Sequence, residues 1–272
     1  MGNYQLDPVA MAKDTEAITF AWFDHVFHGK PKPTLLKGKV NYQLMGSNTW
    51  QHNNSYQQMN ASAPVFYLNK TSEQNLVLTT EKPKQEKLFK LTVDMADRTE
   101  QRNVQPWPFK LDELPKSNGL TFMTEPFATP QAFAGAITGY FSLAINKRDV
   151  DIGYNFYELT AEGKVCLLSH YFGRASYAAD MGKRQLLTPD KKTQVAIVNG
   201  RMTAKLIAKG SRLVMVLDVN KNAAAQVNMG TGKDVSTETA ADGKQPLEIT
   251  WFSDSQIKLP ITPWLGDAVV KR

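Results

Sequence analysis

The sequence predicts an all-β fold, a β-sandwich preceded by one helix. Three observations lead there. From residue 39 onward the apolar residues recur with a period of two, in short runs. Polar, Gly- and Pro-bearing turns separate these runs at sandwich-like spacing. No strand–helix alternation of the doubly wound kind is present.

The helix is read from "KDTEAITFAWFDHVFHGKPKP". Asp14 stands where a cap belongs, and Glu16 sits in the first turn, where the helix dipole favours an acid. Ile18, Trp22 and Val26 form an i, i+4 row; Phe20, Phe23 and Phe27 widen it. Gly29 and Pro31 stop the helix. An apolar face this wide calls for partners on more than one side. A Pro- and Lys-rich connector follows, so residues 1–38 are expected to form one unit and residues 39–272 the sandwich.

"KVNYQLM" alternates Val40, Tyr42 and Leu44, and "APVFYL", "NLVLTT" and "KLFKLTVDM" follow as strands. "PKSNGLTFMTEPFATPQ" is turn-rich with a brief strand. "FAGAITGYFSLAI" sets Ile137, Phe141, Leu143 and Ile145 near one face. "DVDIGYNFYELTAEGKVCLLSHYFGRASYA" reads as a hairpin turning at Gly163, where positive φ is cheap, and then a third strand. "KKTQVAIV", "SRLVMVLDV", "PLEITW" and "SQIKLPI" bring the total to about twelve strands. "NGRMTAKLIAKG" has a mixed period and is the one further helix candidate.

The 272 residues carry a net charge of +6 and a pI of about 9.2. The basic clusters "KPKPTLLKGK" and "EKPKQEK" lack interleaved stacking aromatics, so no nucleic-acid partner is expected. No run reaches transmembrane length, so no membrane association is expected. No leading run has signal-peptide length, which gives a cytoplasmic expectation. Gly2 would suggest myristoylation, but Leu6 stands where that motif wants Ser or Thr. Asn53, Asn60 and Asn69 open N-x-[ST] patterns that decide nothing without a secretion signal.

"NMGTGKD" resembles a phosphate-cradling loop. A P-loop, however, needs a Gly five positions before Gly232, where Val227 stands, and Ser or Thr after Lys233, where Asp234 stands. Cys166, the single cysteine, is expected to be a small buried hydrophobe, with His170 four residues on along the same strand face. His25 and His28 are close enough on the helix to reach each other. With His52 and His170 they form no metal-ligand spacing. Asp149 and Asp151, two apart on one strand face, are the one carboxylate pair to weigh for calcium or glycosidase chemistry. There is no G-x-S-x-G elbow, and Ser142 lies mid-strand. No catalytic residue, metal or cofactor is therefore assigned.

In order along the chain, several segments resemble the C-terminal part of the CocE/NonD hydrolases, the X-Pro dipeptidyl-peptidase-like serine hydrolase family. "FAWFDHVFHGKP" is similar to the closing helix of their α/β-hydrolase domain. "GKVNYQLMGSNTWQ" is similar to their entry strand, with Gly46 and Trp50 in a Gly-x-x-x-Trp arrangement. "APVFYL", "LTFMTEPFATPQAFAGAITGYFSLAI", "RDVDIGYNFYELTAEG", "GRASY", "KGSRLVMVLDV" and "QVNMGTGKDVSTET" follow in the family's order. The resemblance implies a jelly-roll, galactose-binding-like sandwich, preceded by one helix of an otherwise absent α/β-hydrolase domain.

It also implies a non-catalytic module that packs on the catalytic domain and helps wall the substrate pocket of an ester or amide hydrolase, X-Pro peptides included. The family's triad precedes the helix, so the chain alone is expected to be inactive. Asn228, Gly230, Gly232 and Asp234 are then a structural loop before the last strands. Trp22, Phe23, Val26 and Phe27 are the expected interface, either with a catalytic α/β-hydrolase domain or in self-association. Two alternatives stay open. One is a carbohydrate-binding sandwich using Trp107, Trp251 or Trp264; the other is a structural or assembly domain without ligand.

Overall fold

The computed structural model describes residues 9, 11, 15–59 and 62–266. Gly2, Leu6, Asp14 and Asn60, weighed above, lie outside them. The leading helix α1 spans Thr15–His28. β1 (Val40–Leu44) and β2 (Thr49–Asn53) form a hairpin, followed by a single-turn helix α2 (Tyr56–Met59). Next come β3 (Val65–Ser72), β4 (Asn75–Thr79), β5 (Leu88–Val93), β6 (Lys110–Leu111) and β7 (Leu120–Met123). The middle of the chain forms β8 (Gln131–Ala136), β9 (Thr138–Ile145), β10 (Asp151–Leu159) and β11 (Val165–Arg174). β12 (Thr193–Ile197), β13 (Met202–Ile207), β14 (Arg212–Val219), β15 (Leu247–Phe252), β16 (Gln256–Lys258) and β17 (Ile261–Pro263) complete it.

One long ladder runs β5-β15-β9-β16-β3-β4-β7-β14-β10-β11-β6, with β12 also on β9. A second sheet has the order β13-β8-β17. β9 and β10 are far apart in the long ladder, yet Phe141 and Tyr154 meet edge to face at 6.4 Å. Phe89 of β5 likewise meets Phe122 of β7 at 5.1 Å. The ladder is therefore folded over on itself, its two layers facing across a shared core, which is the packing of a β-sandwich. Trp251, Phe141, Tyr154 and Phe156 lie fully buried between the layers. Burial of each such side chain is worth about 1.5–3 kcal/mol. Among the described residues no helix is long and apolar enough to cross a membrane.

Several strand readings are corrected. Seventeen strands stand among the described residues, against the expected dozen. β2 and β6 are additions; β6 is two residues long and pairs with Val165 and Cys166 of β11. The helix candidate at 199–210 is the strand β13, paired along its length with β8, so tertiary pairing overrides its mixed period. "FAGAITGYFSLAI" is two strands in two sheets, broken at Ile137. Gly139, at φ +122°, lets β16 approach so closely that a Cβ there would stand 2.0 Å from the Gln256 carbonyl oxygen. "GRASYA" closes as a 3₁₀ turn, Ala175–Tyr177, instead of a third strand. Pairing between strands is antiparallel except between β4 and β7, and Met45 adds one isolated parallel bridge to Lys205 of β13.

Candidate functional site

No residue of α1 is buried. Trp22 is 39% exposed, Phe23 47%, Val26 52% and Phe27 71%. Phe23 and Phe27 stack with centroids 5.9 Å apart, so the face is an ordered aromatic surface. Polar contacts pin the end of the helix. Asp24 accepts from His28 Nδ1 at 2.9 Å and from Lys30 Nζ at 2.6 Å, and these bonds lower its pKa. His25 Nδ1 donates to the Lys30 carbonyl at 2.7 Å. The two helix histidines thus turn to separate partners instead of to each other. Lys32 lies 5.8 Å from the Trp22 ring centroid, a distance at which a cation is attracted by the ring face.

Beside α1 lies a groove of about 790 Å³. Ile18 of α1, Leu35 and Leu36 of the connector, Tyr42 of β1 and Trp50 of β2 border it, with Phe109 from the loop before β6. Its polar groups are Lys39 just before β1, Asn41 and Gln43 of β1, Ser169 and His170 of β11, Arg201 just before β13, and Thr203 of β13. No acidic residue is among the described residues lining it. Burial, with the nearby Arg201 charge, holds His170 below the ordinary imidazole value, so it is neutral at pH 7. Sequence reading missed this groove because its members come from segments spread from α1 to β13. Trp50 carried the one usable signal, an aromatic in a segment that does not alternate cleanly.

The loop Asn228–Asp234 is held by internal bonds. Glu238 accepts from the Met229 and Thr231 amides at 2.7 and 2.9 Å, and also from the Thr231 hydroxyl. A carboxylate of the chain itself thus fills the place where a cradled anion would sit. Asn228 donates to Asp151 Oδ1 at 3.0 Å and accepts from the Gly230 amide at 2.9 Å. Gly230 and Gly232 have φ of +81° and +88°. Asp234 caps the next 3₁₀ turn by accepting from Ser236 N.

Asp149 and Asp151 do not act as a pair. Asp149 precedes β10, is fully buried, and accepts from Ser176 Oγ at 2.7 Å and Arg184 at 2.9 Å. Asp151 receives two bonds from Arg174, at 2.8 and 3.0 Å. Each is neutralised by its own arginine. Arg184 also donates to the Lys233 carbonyl at 2.6 Å, tying the glycine loop to the Asp149 corner.

Cys166 is half-buried, and burial raises its thiol pKa. The shared face expected for it and His170 is overturned by a bulge in β11. Leu167 faces Tyr157 and Ser169 faces Phe156, so one extra residue reverses the side-chain alternation between them. Ser142 is buried, with its amide bonded to Ser255 Oγ. The three tryptophans occupy different places: Trp251 is core, Trp107 is 81% exposed against Phe109, and Trp264 follows β17.

The family model of the X-Pro dipeptidyl-peptidase C-terminal non-catalytic domain matches residues 36–250. No curated protein matches the chain. Among solved structures, it superposes on an aminopeptidase from the marine sediment archaeon Thaumarchaeota archaeon with TM-score 0.70 and 16% identity, over 91% of this chain and 44% of that one. An α-amino acid ester hydrolase gives 0.71 and 17%, over 89% and 44%. A CocE/NonD family hydrolase from Staphylococcus aureus gives 0.61 and 14%, over 92% and 46%. At such identities the likeness is one of fold. The chain spans less than half the length of each of these structures.

Proposed function

Because this chain belongs to the X-Pro dipeptidyl-peptidase C-terminal non-catalytic domain family, we propose that it is the accessory jelly-roll module of a CocE/NonD-type serine hydrolase. In this reading α1 packs against a catalytic α/β-hydrolase domain, and the sandwich helps wall the pocket for an ester or amide substrate, X-Pro peptides among them. The observation that carries it is the helix with no buried residue and four exposed apolar side chains, Trp22, Phe23, Val26 and Phe27. Burial of each is worth about 1.5–3 kcal/mol, so a partner surface that covers them is strongly favoured. The same four residues serve self-association where no catalytic domain is at hand.

The test is isolation from the native source with an antibody to the sandwich, after labelling with a serine-reactive phosphonate. The expected result is a labelled α/β-hydrolase serine, identified by mass spectrometry, on the same polypeptide or in stoichiometric complex with it. Native chain free of any labelled serine hydrolase would overturn the proposal.

A further inference from the structure

We propose that the groove between α1, β1, β2, β11 and β13 binds an amphipathic carboxylate, a small molecule with an apolar or aromatic body and one anionic end. This goes beyond the reading of the chain as a hydrolase module and does not depend on it. The groove's volume of about 790 Å³ lies within the range of roughly 300–1,000 Å³ typical of small-molecule sites. Tyr42, Trp50 and Phe109 supply a wall for the apolar body. Lys39 and Arg201 supply positive charge at the same groove, and no described lining residue is acidic.

What sets these two cations apart is their place, both on one largely apolar groove that no described acidic residue lines. Arg102, Arg174 and Arg184 are each spent on an internal carboxylate. Lys39 and Arg201 make no ion pair among the described residues, and both border the same apolar cavity. A guanidinium offers a fork of donors matched to a carboxylate. Ser169, buried and also lining the groove, keeps a hydroxyl with no partner among the described residues. A neutral apolar ligand would leave the cations idle, and an ammonium ligand would be repelled by them.

Titration calorimetry of the full chain with octanoate and 4-phenylbutyrate, against octanamide and octylammonium, tests this. The expected result is saturable one-to-one binding of both carboxylates, with the amide much weaker and the amine unbound. Arg201→Gln, at an exposed position, should weaken octanoate roughly tenfold or more, the loss expected for a charge-assisted bond, without moving the thermal melt. Lys39→Gln should weaken it in the same direction and serves as the second variant. Phe23→Ser with Phe27→Ser should leave octanoate binding unchanged, because these side chains belong to the exposed helix face.

The proposal is overturned if no carboxylate binds saturably, or if octanamide binds as tightly as octanoate. It is equally overturned if the helix variant, and not the two cation variants, abolishes binding. Binding that emerges only after removal of residues 1–14 would assign the groove to the chain's own leading segment and overturn it as well.

Discussion

Gly230 shows how one backbone position can tie two loops together. A Cβ there would stand 2.7 Å from the Asp149 carbonyl oxygen, whereas one at Gly232 would meet the end of Leu186 at 3.0 Å. Both residues hold positive φ, which alone costs a side chain about 1–2 kcal/mol. Gly232→Val should therefore destabilise the fold by about that much and Gly230→Val by more, read as a drop in urea midpoint at constant slope. ATP should shift neither melt, since Glu238 already occupies the loop amides; a saturable ATP shift would restore a phosphate site.

Glu100 makes a pH prediction. Burial opposes its charge, but bonds from Arg102, Asn118 and Lys221 prevail and hold it at about 2. A carboxyl depressed in the folded state stabilises above its unfolded value of 4.5 and loses that contribution as pH falls toward about 2. Stability should thus decline across that window, and Glu100→Gln should flatten the decline. Denaturation midpoints at stepped pH give the comparison; an unchanged slope would remove Glu100 as its source. The glycines of the loop could be read from the sequence. Their anionic partner Glu238 could not, because a carboxylate six residues beyond Gly232 gives no local signal of which amides it will meet.

At the scale of the element, α1 and β11 illustrate two kinds of legibility. The 3.6-residue period located α1 without help from the rest of the chain, since its apolar row is a local property. Its environment was a different matter. The width of the face suggested burial on several sides, yet the folded chain leaves Trp22, Phe23, Val26 and Phe27 exposed. Concentration-dependent association should follow in sedimentation velocity, and Phe23→Asp with Phe27→Asp should abolish it without lowering the thermal melt. A strictly monomeric parent over the whole concentration range would remove the interface role. In β11 an unbroken alternation was read from Cys166 to His170, which the register shift at Leu168 breaks. The single bulged residue between them was invisible, because it is set by the register against β10. That residue decides whether Cys166 and His170 share a face.

For the molecule as a whole, strand should dominate the far-ultraviolet circular dichroism, with helix well below one third, the level of an average globular protein. The purified chain should turn over neither p-nitrophenyl esters nor X-Pro anilides; steady turnover with stoichiometric phosphonate labelling would contradict the non-catalytic reading. The sequence by itself determined the period-two patterning, the single leading helix, the ordered motif series and the rejection of a P-loop. Each of these rests on spacings within a few residues of one another.

Only the tertiary structure decided where the long ladder folds over, that 202–207 is a strand, and that Asp149 and Asp151 serve separate arginines. It alone assembled the groove beside α1. Strand partners here lie up to more than a hundred residues apart, as Ile249 and Ile145 do. A side chain's periodicity fixes which face it occupies on its own strand, but not which distant strand lies opposite. Pairing, groove and ion-pair partners are therefore consequences of long-range packing, which no local pattern encodes.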